Sequence, residues 1–199
     1  MNSKSYFRSS GYTTDSIIKT DQGEQIDLRT LPPFLRTLMV MDGTVTKSLS
    51  AWFWEGVNIE ALQNQKEAVT SSIDGLDDLD CGDIILRREV SLRGENSNTL
   101  FACARSIVSL KHLPVEIINA LERGKIGIGE LLRENGIETY RDIFKINYYS
   151  SVPENDSLLS HLSREVISRT YRIRVNGVPA IIVTEFFPIG LFESKNVKN

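Results

Sequence analysis

Hydrophobic and polar positions change period several times along the chain, and each change marks an element. Residues 84–93 alternate, with Leu86, Val90 and Leu92 on one side and Arg87, Glu89, Ser91 and Arg93 on the other, which predicts a strand. A second β run over 100–110 follows the turn-rich segment Gly94-Glu95-Asn96-Ser97-Asn98-Thr99, so the two read as a hairpin with a longer loop. Residues 169–175 and 178–187 flank Asn176-Gly177, the strongest short hairpin signal in the chain, and predict a type I′ turn. Residues 57–70 and 138–149 read as further strands. Helical spacing spans 33–41, after Pro32, and resumes over 45–54, where Thr44 stands as the N-cap. Pro114 begins another helix running to Arg123, with Gly124 at the C-terminal cap position, and a short helix covers 129–135 before Gly136. Hairpins with helices inserted between them predict an α+β fold on a largely antiparallel sheet.

The first 28 residues break this pattern. They are rich in Ser, Thr, Asp and Gln without a sustained apolar period, and read as a flexible arm or a partly ordered extension before one domain over 29–199. Composition changes the picture little: 41% hydrophobic and 25% charged residues describe an ordinary globular chain. A net charge of −3 offers no electrostatic case for nucleic acid or an anionic membrane, and no apolar run is long enough to span a bilayer. The N-terminus lacks a signal-peptide core, and two cysteines, Cys81 and Cys103, suit a reducing compartment, so a cytoplasmic location is expected. Two histidines, His112 and His161, leave little for a zinc centre or a Ser-His-Asp triad, and neither metal nor cofactor is expected. The acidic run over 74–83 lacks EF-hand spacing and reads as a solvated connection.

Candidate chemistry comes from charges in the wrong register. Arg88 shares a face with Leu86, Val90 and Leu92, where an unpaired guanidinium is costly and needs an anion. The next strand repeats the anomaly, placing Arg105 in line with Phe101, Cys103 and Ile107. In the last hairpin a regular ladder out of Asn176-Gly177 sets Arg172 opposite Ile181, Thr170 opposite Val183 and Ser168 opposite Glu185. Glu185 then lies in line with Ile181, Val183 and Phe187. A structural Arg–Glu pair would explain one misplaced charge. Two arginines and a glutamate on separate strands favour a pocket for a small polyanion, which the planar fork of arginine suits. Gly127-Ile128-Gly129, at the start of the short helix, adds glycines that let a ligand approach the backbone.

These residues carry a resemblance. Leu86-Arg87-Arg88-Glu89-Val90, Ala104-Arg105-Ser106-Ile107, Gly127-Ile128-Gly129, Tyr171-Arg172-Ile173, Gly177-Val178-Pro179 and Thr184-Glu185-Phe186-Phe187 resemble, in order and spacing, the chorismate pyruvate-lyase (4-hydroxybenzoate synthase) family. The early Met41-Asp42-Gly43-Thr44-Val45-Thr46-Lys47 segment does so too, and the match runs from about Leu31 to Leu191. The resemblance implies an antiparallel sheet enclosing an internal ligand cavity closed by helical flaps. It implies conversion of chorismate to 4-hydroxybenzoate and pyruvate without a cofactor, feeding quinone or other phenolic metabolite synthesis. By the same resemblance Arg88 grips the ring carboxylate with help from the backbone N–H of Ile128. Glu185 meets the ring hydroxyl, Arg105 is a second arginine of the site, and Val45 lies near the hydroxyl. Gly127 stands where the family has proline and Ile128 where it has leucine, which loosens the turn.

A different class of function shares this fold: the effector-binding half of certain transcription regulators. Such a sensor is expected to carry a winged-helix domain ahead of the matching region, whereas about 30 mostly polar residues stand there. The enzyme reading is therefore the leading one.

Overall fold

The computed structural model describes residues 16–20, 23–124, 126–153, 155–162 and 165–193. Its frame is a six-stranded antiparallel sheet. In chain order the strands are β3 (Val57–Ala68), β4 (Ile84–Gly94), β5 (Leu100–Ser109), β6 (Thr139–Tyr149), β7 (Val166–Val175) and β8 (Val178–Pro188), and they lie side by side as β3-β4-β5-β8-β7-β6. Two helix pairs are inserted: α1 (Pro33–Val40) with α2 (Val45–Phe53), and α3 (Val115–Glu122) with α4 (Ile128–Glu134). The architecture is the expected α+β one.

Two of the expected strands begin and end within a few residues of the observed ones because their turns are chemically specified. Asn176 and Gly177 both have positive φ, 52° and 81°, as a type I′ turn demands, and Val175 pairs with Val178. Gly124 and Gly136 take positive φ of 74° and 66° just past α3 and α4, ending each helix where the sequence placed its stop.

Register departs from expectation at one place that matters. Arg174 pairs with Pro179, but Ile173 pairs with Ile181, so the ladder skips Ala180. Beyond that bulge each partner shifts by one: Tyr171 meets Val183, and Arg169, not Ser168, meets Glu185. The shift brings side chains into continuous rows across the sheet. One row runs Arg88, Ser106, Val183, Tyr171, Ile143; the next runs Val90, Ala104, Glu185, Arg169, Ile146.

Both helix pairs pack on the face that these rows present. Leu35, Leu38 and Met39 of α1, with Val45 and Leu49 of α2, cover Val90, Leu92, Phe101 and Phe187. Ile117 and Leu121 of α3, with Leu131 and Leu132 of α4, cover Leu86, Val108, Ile181 and Ile173. The opposite face buries Cys103 and Phe186 under Leu158 and Leu159. Covering both faces removes the contrast between a wet and a dry side along the central strands.

Part of the segment over 1–28, expected as an arm or a partly ordered extension, has regular structure. Residues Ile17–Lys19 (β1) and Gln25–Asp27 (β2) form a hairpin whose Ile18, with Leu28, joins the α1–α2 core, while residues 1–15 lie outside the described residues. A single buried isoleucine in a three-residue strand is too brief a signal to set a period. Among the described residues no helix is long and apolar enough to cross a membrane.

Candidate active site

Between the two helix pairs the sheet is left uncovered, and a cavity of about 590 Å³ of interatomic space, counting its mouth, occupies the gap. Its floor is the two rows named above. Its rim is the α1–α2 connection, Gly43 to Thr46, and the α3–α4 connection, Ile126 to Glu130. The site therefore sits where each helix pair turns back on itself.

Arg88 rises from β4 into this cavity as the strand alternation demands, followed along the same face by Val90 and Leu92. It is only 2% exposed. Its Nη2 donates to the carbonyl of Ile126 at 3.2 Å, its buried Nε has no acceptor, and no carboxylate among the described residues pairs with it. Burial pulls its pKa down from 12.5 to about 10, so the guanidinium remains charged at neutral pH. Ser106, directly opposite on β5, is buried beside it.

Glu185 on β8 is the acidic counterpart in the same cavity, and its carboxylate is fixed from two sides. Oε2 accepts from Arg169 Nε at 2.8 Å, and Oε1 accepts from the Tyr171 hydroxyl at 3.0 Å. Burial and the adjacent Glu185 charge push the Tyr171 phenol well above its usual range, so it stays a donor. Arg169, 1% exposed, also donates through Nη1 to the carbonyls of Leu38 and Met41, the latter at 2.6 Å. It thereby ties the end of α1 to the carboxylate that lines the pocket. Among the described residues Arg169 has a carboxylate partner and Arg88 has none, which separates a structural cation from a receptive one.

The rim residues named by the sequence are all present. Val45 opens α2 and Ile128 opens α4; both are buried and both line the cavity with Gly127 and Gly129. The first N–H groups of a helix have no acceptor within it, and here they border the cavity. Both flanking glycines sit close against the tips of flexible side chains. A Cβ on Gly127 would come within 3.0 Å of Ile59 Cδ1, and one on Gly129 within 2.8 Å of Arg141 Nη2.

With this geometry in place, comparison with known proteins is informative. Residues 39–195 match the Rv2949c-like chorismate pyruvate-lyase family. The chain belongs to that family. A chorismate pyruvate-lyase of Mycobacterium leprae is 31% identical over 169 residues, covering 84% of this chain and 80% of the relative. One from Mycobacterium tuberculosis is 26% identical, covering 83% and 85%. Among solved structures, PhnF from Mycobacterium smegmatis aligns with a TM-score of 0.58 at 11% identity, over 75% of this chain and 65% of that one. Its effector domain aligns at 0.57, over 73% and 88%. At this identity these structures show the fold alone.

Membership of the chorismate pyruvate-lyase family does not rescue one expected site residue. Arg105 was expected in the pocket, yet it projects from the other face of the sheet. Its Nε donates to Glu89 at 2.6 Å, its Nη2 donates to Asp156 at 3.1 Å, and its guanidinium lies 6.0 Å from the centre of the Phe186 ring. Its neighbours in β5, Ala104 and Ser106, are the residues that face the cavity. The alternation along β5 holds, but Arg105 lies on the side away from the cavity; apolar cover on both faces makes either side look like the interior. Phe101, expected to share that face, is turned by a ladder irregularity onto Phe53, with ring centres 4.0 Å apart.

Three side chains at or beside the cavity escaped the sequence reading. Arg169 was hidden by the Ala180 bulge. Tyr171 stood in a quoted motif without a role; its place two residues from Arg169 on the same face was the available signal. Arg141 lies in Tyr140-Arg141-Asp142, where neighbouring polar residues mask any alternation.

Proposed function

We propose that the protein converts chorismate to 4-hydroxybenzoate and pyruvate in this cavity, the observation that carries the reading being a buried, charged Arg88 without a counter-ion among the described residues, in the same pocket as Glu185. Two strand spacings of about 4.8 Å and a two-residue step of about 6.6 Å separate their backbones by about 12 Å. With both side chains reaching inward, that span suits a six-membered ring bearing a carboxylate at one end and a hydroxyl at the other. Arg88 and the N–H groups opening α4, that of Ile128 among them, take the ring carboxylate. Glu185, already aligned by Arg169 and Tyr171, accepts from the ring hydroxyl, and Val45 bounds the ring beside it.

Held this way, the substrate loses the bond between the ring and the enolpyruvyl oxygen. A proton leaves the ring carbon that carries the hydroxyl, and the ring becomes aromatic. The departing enol gains a proton at its methylene carbon and becomes pyruvate, so one substrate gives one molecule of each product and no electrons enter or leave. Aromatisation supplies the driving force; the protein supplies orientation and charge complementarity at the breaking ether. The phenolic product suits quinone or other phenolic metabolite synthesis.

The test is to incubate the pure protein with chorismate and separate the products. Equal amounts of 4-hydroxybenzoate and pyruvate, with rate proportional to protein, are expected. Formation of 3-hydroxybenzoate, or tight chorismate binding without turnover, would overturn the reading in favour of a different chorismate reaction or a ligand sensor.

A further inference from the structure

We propose that Arg141 is the receptor for the second carboxylate of the substrate, the one on the enolpyruvyl side chain, and that it makes the cavity favour a dicarboxylate over a monocarboxylate. The inference rests on the functional reading above and names how that site selects its ligand.

Arg141 stands on β6 opposite Ile173, which continues a row through Ile181, Val108 and Leu86 across the sheet. It is the charged end of an otherwise apolar row, and it lines the same cavity as Arg88 and Glu185. Its positive charge is close enough to the Tyr171 phenol to act on it.

The guanidinium is only partly used within the fold. Nη1 donates to the carbonyl of Asp42, on the α1–α2 connection. The buried Nε has no acceptor, and no carboxylate among the described residues forms an ion pair with Arg141. Nη2 lies against Gly129, where a Cβ would stand 2.8 Å away. One edge of the fork is thus taken by Asp42, and the edge formed by Nε and Nη2 is the pair of parallel donors that a carboxylate meets side-on. The neighbouring Asp142 pairs instead with Arg172, at 2.7 Å, so it does not supply the missing acid.

The chemistry of the substrate matches this distribution. Chorismate has two carboxylates and the cavity has two arginines lacking an acid partner among the described residues, Arg88 on the second strand of the sheet and Arg141 on the sixth. When the ether breaks, the second carboxylate leaves with pyruvate and only Arg88 retains an anion on the aromatic product. Arg141 therefore contributes to substrate binding and to orientation of the ether, but not to affinity for 4-hydroxybenzoate.

Calorimetry on the full chain tests this with two inert probes, 3-(carboxymethoxy)benzoate and 4-hydroxybenzoate. In Arg141→Met the dicarboxylate should bind about 10- to 100-fold more weakly, the range for losing charge-assisted hydrogen bonds. The monocarboxylate should change by less than about twofold, since its contacts are all elsewhere. Arg141→Lys, which keeps charge but not the parallel fork, should show an intermediate loss confined to the dicarboxylate. It also serves where the methionine variant does not fold. Equal losses for both probes would make Arg141 a structural clamp on Asp42 and overturn the proposal, as would no loss for either. Because these are binding measurements, they stand apart from turnover: wild-type protein that fails to make 4-hydroxybenzoate sinks the functional reading, whatever the probes show.

Discussion

Arg169 and Glu185 face each other across the β7–β8 ladder, joined Nε to Oε2 at 2.8 Å, with side chains 1% and 10% exposed. The pair gives Glu185 two duties at once. It lines the cavity between the helix pairs, and it neutralises the cation that holds the carbonyls of Leu38 and Met41.

Glu185→Gln should therefore lose both stability and turnover, not one or the other. Removing one charge of a buried pair typically costs about 3–5 kcal/mol, because the partner is left uncompensated. Adding Arg169→Met removes the orphaned cation and should recover much of that stability, while turnover stays low in the double variant. Thermal unfolding and turnover of the two single variants and the double form the measurement. Recovery of turnover together with stability would show that Glu185 acts on the fold alone.

Arg88 should behave in the opposite sense. Its folded pKa, about 10, lies below the ordinary 12.5 because burial disfavours the charged form. The penalty on the ligand-free fold is thus present in full below pH 10 and fades only as pH rises from there toward 12.5. Arg88→Met removes a buried charge that has no counter-ion among the described residues and should stabilise the ligand-free protein, by about 1–4 kcal/mol where such replacements pack well. Turnover should vanish, and 4-hydroxybenzoate should no longer raise the unfolding temperature as it does for any protein whose folded state binds it. A destabilised, ligand-blind Arg88→Met would mean that the fold itself satisfies the guanidinium.

Arg88 and Glu185 were legible in the sequence because each interrupts a run of apolar residues spaced by two, and that spacing survives into the structure unchanged. Which partner faces Glu185 was not legible. A two-residue turn fixes register only up to the first bulge, and the skipped Ala180 lies between the turn and the site. Arg105 shows a second limit: alternation says which residues share a face, not which face holds the ligand. Where helices cover one side and the residues around Leu158 cover the other, both sides are apolar and the pattern has no sign. The helix pairs were visible as elements, but their role as the two rims of one cavity follows only from the strand order β3-β4-β5-β8-β7-β6, which no local pattern encodes.

Tyr171→Phe should separate alignment of Glu185 from proton handling. The hydroxyl donates to Glu185 at 3.0 Å, and burial holds it protonated well beyond the usual phenol range. Loss of one such hydrogen bond costs about 0.5–1.5 kcal/mol of stability, or more where the acceptor is charged. The turnover number should fall, while the shape of its pH profile between about 6 and 9 stays that of the wild type (roughly the span in which an ordinary phenol does not ionise). A limb of the profile that disappears in the phenylalanine variant would make Tyr171 itself the titrating group.

Arg105→Ala decides whether the cavity has been assigned to the correct face of the sheet. Arg105 is 39% exposed, pairs with Glu89 and Asp156, and packs over Phe186 on the side away from the cavity. Partly exposed ion pairs are worth about 0–1 kcal/mol, so unfolding should shift slightly. Affinity for 4-hydroxybenzoate and turnover should stay within about twofold of wild type, because no substrate group reaches that face and independent sites do not couple. Arg87 provides the internal comparison: it too faces away, paired with Glu67, and Arg87→Ala should be equally silent. The two adjacent substitutions at 87 and 88 then differ only in which side of one strand they alter. If Arg105→Ala abolished turnover while leaving stability intact, the ligand would have to lie against Glu89 and Asp156, and the assignment of the cavity between the helix pairs as the active site would fall.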